Sequence, residues 1–163
     1  MKKHLTPNNN LILFFNHLYP YRAKSKSHKK NIVTIGIGGN ILDVQKRFKK
    51  LFLMLKSDSR FFIERTSPIL KNPPFGFLDQ DDFYNAIIVL KTNLSPFESL
   101  RAFQRYENRF KRKRSFKDAP RTLDIDIIFF NDIKINTKEL IIPHHGYKDR
   151  DSVQIPLSFV LSA

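Results

Sequence analysis

Asp124 and Asp126 sit two residues apart in the run APRTLDIDIIFF, residues 119–130. Side chains alternate along a strand, so the two carboxylates share a face, roughly 7 Å apart. That spacing suits a pair of hard cations, since two-metal sites hold their ions about 3.5–4 Å apart. Magnesium in particular takes a few carboxylates and completes its shell with substrate phosphates. A bare D-x-D is more often a solvated strand face, so its neighbours decide. Arg121 directly precedes the pair, and FKRKRSFK (residues 110–117) lies one loop upstream. Acid for the metal beside guanidinium for the oxygens is the composition a phosphate–magnesium site needs. His144 and His145, in PHH, offer a donor to a phosphate. Phe83 and Asn85, in DFYNA, offer an aromatic and an amide to a flat heterocycle. Gly36, Gly38 and Gly39 lack the spacing of a phosphate-binding loop and read as a turn with close backbone approach.

The elements that carry these residues follow from periodicity. NIVTIGIGG is a strand, and ILDVQKRFKKLFLMLK places Val44, Phe48, Leu51, Phe52 and Leu55 at helical spacing. RFFIERTSPIL and DFYNAIIVLKT are strands separated by the Pro73-Pro74 loop. Ser95, Pro96 and Glu98 form a capping box that opens a second helix. RTLDIDIIFF is a further strand, and NDIKINTKELIIPHH predicts a hairpin. The order β-α-β-β-α-β is that of a ferredoxin-like α+β sheet with both helices on one face and an added C-terminal hairpin. Leu123, Ile125, Ile127 and Phe129 are expected under the helices. Thr122, Asp124, Asp126 and Ile128 then face the uncovered side, which is left for ligands.

The chain of 163 residues is one domain's worth, with no cysteine and hence neither disulfides nor thiolate metal sites. A cytoplasmic protein is expected, because the longest N-terminal apolar run, Leu11–Phe15, is too short to span a membrane. Net charge is +14, and residues 1–30 hold seven Lys/Arg and no acid. These residues read as a basic N-terminal extension to a domain spanning 31–163. Within the extension, LILFFNHLYPY predicts a short helix with Leu11, Phe15 and Leu18 on one face. Such charge calls for a polyanionic partner: RNA, an anionic membrane surface or a nucleoside triphosphate.

From about Asn31 to Leu157 the chain resembles the 6-hydroxymethyl-7,8-dihydropterin pyrophosphokinases of folate biosynthesis. The matching pieces are GIGGN, NPPFGFLDQDDFYNA, QRYE, RKRSFKDAPRTLDIDI and IIPHHGYKDR, in that order. The resemblance implies a magnesium-dependent enzyme that moves the β,γ-pyrophosphoryl group of ATP to a hydroxymethyl-dihydropterin and releases AMP. It implies two Mg2+ ions on Asp124 and Asp126, with ATP as co-substrate. Gln104 and Glu107 match the nucleotide-side pair. Arg112 and Arg114 match arginines of a basic loop, and Arg121 the arginine before the acidic strand. His144 matches a phosphate-contacting histidine, with His145 beside it on the nucleotide side, and Arg150 an arginine near the phosphates. Phe83 and Asn85 match the pterin-holding aromatic and amide, and Asn72, Pro73 and Phe75 line that pocket. Ser152 stands where many members carry a second stacking aromatic, so Phe75, Phe77 or Phe116 is expected to supply that wall.

Two rivals share parts of this pattern. An RNA-binding module has the same strand–helix order, but spaced RNP aromatics are absent from DFYNAIIVLK, and two aspartates on the reading face repel phosphate. No nucleic-acid or membrane partner is therefore expected. A metal-dependent nucleotidyltransferase also uses paired strand aspartates; its products, pyrophosphate and a nucleotidylated acceptor, separate it.

Overall fold

The computed structural model describes residues 2–5, 11–74, 76–110 and 120–161. Phe75, Arg112, Arg114 and Phe116 lie outside the described residues. The elements run β1 (Lys2–Leu5), β2 (Ile12–Phe15), β3 (Tyr21–Arg22), β4 (Asn31–Gly39), α1 (Val44–Ser57), β5 (Phe61–Thr66), β6 (Ile69–Asn72), β7 (Phe83–Thr92), α2 (Pro96–Arg109), β8 (Asp124–Phe130), β9 (Ile135–Asn136), β10 (Ile141–Ile142) and α3 (Asp151–Leu161). From β4 to β8 the order is β-α-β-β-β-α-β, which is the expected β-α-β-β-α-β with the strand read over RFFIERTSPIL broken into β5 and β6, and β9–β10 is the expected hairpin.

The sheet is antiparallel and centred on β7–β4–β8. On its other side β7 takes β5 along its C-terminal half and β6 along its N-terminal half, so β5 and β6 act as one interrupted strand. Next to them, β3 pairs with β5 and β2 with β6, and β1 closes onto β2. The two helices lie where amphipathicity puts them. Phe48, Leu51, Phe52 and Leu55 of α1, with Phe103 and Tyr106 of α2, bury against Val33, Ile35, Ile37, Ile63, Ile88, Leu90, Ile125 and Ile127. The capping box is complete: Ser95 accepts from the Glu98 N–H, and Glu98 accepts from the Ser95 N–H.

Three expectations are corrected. First, residues 11–22 form strands rather than a helix. Leu11, Leu13 and Phe15 pack toward one face of the sheet and Phe14 toward the other, a period of two. The exposed edge of β6 offers this segment ladder hydrogen bonds that an isolated helix of three turns lacks. Second, the face opposite α1 and α2 is not open throughout. Helix α3 covers its middle, burying Leu157 and Val160 on Ile87, Val89 and Ile128. Third, Phe129 leaves the helix-covered face. Register slips between Ile127↔Ile35 and Phe129↔Thr34, so Ile128 is a bulge residue and the phase inverts beyond it. Phe130 enters the main core, and Phe129 packs edge-on to Tyr147 with ring centroids 5.0 Å apart.

Candidate active site

Antiparallel pairing sets out the face opposite α1 and α2 row by row. Leu13, Leu70, Asn85, Gly38 and Asp124 are successive partners across β2, β6, β7, β4 and β8. One row toward the end of the sheet, Asn72 lies opposite Phe83. One row the other way, Ile87, Gly36 and Asp126 align. The ladder thus brings the amide and aromatic residues onto the same surface as the two carboxylates, with glycines between them.

Those glycines are required by space. A Cβ on Gly38 would stand 2.6 Å from Asn85 Oδ1, and one on Gly39 would stand 2.6 Å from the Thr122 carbonyl oxygen. The amides are held in a chain: Asn85 donates to Asn72 Oδ1 at 2.7 Å, and Asn72 donates to the Pro73 carbonyl at 3.0 Å. Asn40, buried beside them, ties three segments together. Its Oδ1 accepts the Arg121 N–H at 3.0 Å, and its Nδ2 donates to Gln80 at 2.8 Å and to the Asp81 carbonyl at 2.9 Å. Sequence reasoning missed Asn40 as a site residue; its signal was the GGN turn itself.

Asp124 is buried and Asp126 exposed. Arg121 pairs with Asp124 Oδ2, and its guanidinium lies 5.2 Å over the Phe83 ring. Arg121 therefore touches both the acid strand and the aromatic. Thr122 Oγ1, in the bend two residues before Asp124, is buried without a hydrogen-bond partner. The open edge of β8 is held from outside. Glu107, 7% exposed, accepts the Ile125 N–H at 2.9 Å, and His144 donates its N–H to the Ile128 carbonyl at 3.0 Å. Glu107 thus fixes the backbone between the two aspartates. Gln104 is exposed one turn earlier on α2.

His144 Nε2 stands 4.0 Å from Asp126 Oδ2. Its Nδ1 accepts the Gly146 N–H at 3.2 Å, which leaves the proton of the neutral ring on Nε2. Burial holds the His144 pKa below its ordinary value; Asp126 opposes this, and His145 and Arg150 reinforce it. His145 stacks on His144 with centroids 4.7 Å apart. A Cβ on Gly146 would lie 3.2 Å from Arg150 Nε, so a glycine lets Arg150 close on His144.

Among the described residues no three His, Asp or Glu side chains gather into a protein-only cage. Two hard carboxylates on a glycine floor, with an unpaired hydroxyl beside them, fit magnesium whose remaining ligands come from a substrate. The described site residues Asn72, Phe83, Asn85, Arg121, Asp124, Asp126, His144 and Arg150 belong to one surface and the loop beside it. Glu107 acts from the edge of β8, and Gln104 makes no described contact with them.

Comparison with known proteins converges on one family. Residues 34–162 match the family 7,8-dihydro-6-hydroxymethylpterin-pyrophosphokinase (HPPK). The chain is similar to the 2-amino-4-hydroxy-6-hydroxymethyldihydropteridine pyrophosphokinase of Campylobacter jejuni, 42% identical over 142 residues, covering 87% of this chain and 90% of the relative. The protein of the same name in Helicobacter pylori is 44% identical, over 86% of this chain and 87% of the relative. That of Bacillus subtilis is 36% identical over 128 residues, 78% of this chain and 77% of the relative.

Proposed function

The chain belongs to the 7,8-dihydro-6-hydroxymethylpterin-pyrophosphokinase family and transfers pyrophosphate from ATP to hydroxymethyldihydropterin in folate synthesis, and we propose that Asp124 and Asp126 hold two Mg2+ ions for that transfer. The observation that carries the assignment is the row Asn85–Gly38–Asp124. It supports the reading by aligning an amide suited to a heterocycle edge and a carboxylate suited to magnesium on one face, with only a glycine between them.

In the reaction the hydroxymethyl oxygen bonds to the β-phosphorus and the bond from that phosphorus to the α-bridging oxygen breaks, so AMP leaves and the hydroxyl proton passes to solvent. When bound, magnesium neutralises triphosphate oxygens and lowers the pKa of the attacking hydroxyl. The protein's share is positioning and charge. Asn72 and Asn85 hydrogen-bond the pterin edge, Phe83 stacks on its ring, and Pro73 lines the pocket. Arg121, braced by Phe83 and Asp124, directs its guanidinium charge toward phosphoryl oxygens. His144 donates Nε2–H to a phosphate, with His145 beside it on the nucleotide side, and Arg150 adds a second guanidinium. Gln104 and Glu107 serve the nucleotide side, Glu107 by fixing β8. Arg112 and Arg114, in a segment outside the described residues, supply further cations to the triphosphate. On this reading the enzyme acts in the cytoplasm, where its reading as a folate enzyme places it. No helix among the described residues is long and apolar enough to cross a membrane.

The test is product analysis with magnesium-ATP and hydroxymethyl-dihydropterin. AMP and a pterin pyrophosphate are expected, and a chelator should abolish both. Release of pyrophosphate with a nucleotidylated pterin would instead establish a nucleotidyltransferase. Asp126→Ala should lower kcat by about 10³ or more with the fold intact, since an exposed acid is removed.

A further inference from the structure

We propose that β2, which lies ahead of the family's matched region, is a working part of the pterin site: with the stripe of α3 that packs on it, it forms the outer wall of the pocket. The proposal rests on the residue roles given above for Asn72, Asn85 and Arg150.

Three observations carry it. The first is register. Ile12 pairs with Lys71 and Leu13 with Leu70, so Leu11 comes level with Asn72, and Leu13 extends the Leu70–Asn85–Gly38–Asp124 row outward. The second is packing. Leu11, Leu13 and Leu70 form one buried cluster, completed by Phe15 and by Ile155 of α3. The third is helical geometry. Ser152, Ile155 and Phe159 are spaced i, i+3, i+7 and so share one stripe of α3. Ile155 sits on the Leu11–Leu13 cluster, and Phe159 meets Phe15 edge-on with centroids 6.2 Å apart. The other stripe of α3, Val153, Leu157 and Val160, packs on β7 and β8.

The first turn of α3 begins immediately after Arg150, which touches the Gly146–His144 loop. Its Ile155 stripe rests on a cluster shared by β2 and β6, with Leu70 of β6 beside Leu11 and Leu13. Removing β2 takes Leu11 and Leu13 from that stripe and leaves Leu70. It also removes the apolar residue level with Asn72, the amide partner of Asn85. Because Ser152 brings no ring to this side, the aliphatic surface of Leu11 and Ile155 is what borders the heterocycle there.

The experiment compares the full-length chain with Leu11→Ala, Leu11→Met and Ile155→Ala, measuring KM for the pterin and for ATP, kcat, and thermal midpoint. Leu11→Ala should raise the pterin KM about tenfold while ATP KM and kcat stay within about twofold. Leu11→Met should restore it, and the double variant Leu11→Ala/Ile155→Ala should lose less than the product of the two single losses. A folded Leu11→Ala enzyme with unchanged pterin KM, or one losing ATP and pterin affinity equally, would overturn the proposal. Should Leu11→Ala fail to fold, Leu11→Val carries the same test with an expected threefold rise, and no rise overturns it equally. A wild-type chain that transfers no pyrophosphate would instead remove the functional assignment on which all of this depends.

Discussion

At the scale of single residues, the site depends as much on what is missing as on what is present. Gly38 lies between Asn85 and Asp124, and a methyl there meets Asn85 Oδ1 at 2.6 Å. Gly38→Ala must therefore move Asn85, breaking its 2.7 Å bond to Asn72. The expected result is a pterin KM raised about tenfold or more, equivalent to the loss of roughly one well-made hydrogen bond, with ATP KM changed far less. Steady-state kinetics with each substrate varied separately checks this. An unchanged pterin KM would show that the Asn72–Asn85 pair plays no part in binding. Most of the residues on this surface were legible in the sequence, because their types are chemically distinctive: paired Asp, Arg beside Pro, His after Pro, Asn two residues from Phe. Asn40 and Gly146 were not. Both act by holding other groups in place, one through three side-chain hydrogen bonds and one through absent volume, and the GGN turn marks where Asn40 lies without showing what it binds. Glu107 was found, but not the Ile125 N–H it accepts, since that bond joins residues 18 positions apart.

At the scale of elements, what was legible is what local periodicity encodes. The α1 and α2 stripes, the capping box and the β4, β7 and β8 runs all appear as expected. What escaped depends on partners. The 11–22 segment is apolar enough for either structure, and only the edges of β5 and β6 select strand. Helix α3 is interrupted in sequence by Pro156, which suppresses the helical signal, and burial of Leu157 and Val160 outweighs that penalty. The bulge at Ile128 is invisible without β4. Two predictions belong here. Tyr19 is fully buried, donates to the Phe48 carbonyl at 2.8 Å, and has its phenol pKa pushed far up by burial. Tyr19→Ala should cost about 3–5 kcal/mol, read from the denaturant midpoint, which makes the N-terminal segment part of the core rather than an appendage. A cost below about 1 kcal/mol would restore the appendage view. The second prediction concerns Asp58, at the C-terminus of α1. It accepts the Arg60 side chain at 2.7 and 2.9 Å and the Tyr106 hydroxyl at 2.7 Å, joining α1 and β5 to α2. The Arg60 hydrogen bond, with smaller help from Tyr106 and the Arg60 backbone, lowers its pKa to about 2, against desolvation. A depressed carboxylate stabilises the fold fully above its unfolded pKa of about 4 and loses that contribution as pH falls toward 2. Arg60 is substantially exposed, so roughly 1–2 kcal/mol remains after screening. Asp58→Asn should lose that amount at pH 7 and flatten the stability profile between pH 5 and 2, as measured by urea unfolding at each pH.

At the scale of the whole molecule, the dominant feature is a net charge of +14 on 163 residues. Its two substrates differ sharply in charge: magnesium-ATP is an anion, and the dihydropterin is neutral. A field of one sign concentrates the anion near the surface and speeds its encounter, and does nothing for the neutral partner. Salt shortens the reach of that field, from about 10 Å at 0.1 M to about 3 Å at 1 M. The charge is also well placed for this role. Arg121 and Arg150 lie at the site, and the run from Lys111 to Lys117 carries five further cations in the chain just ahead of β8. Raising ionic strength from 0.05 to 0.5 M at fixed free magnesium should therefore raise the ATP KM about three- to tenfold and leave the pterin KM within about twofold. Neutralising Lys91, at the far end of β7 from the site, should leave that salt slope unchanged, whereas neutralising Arg150 should reduce it. Parallel rises in both KM values would mean that salt is loosening the fold, and thermal midpoints at the two ionic strengths would reveal it. A flat ATP KM would leave the charge without a role in capturing the nucleotide. Catalysis would then depend on the few cations that touch the triphosphate, and the rest of the basic surface would need another polyanion to explain it.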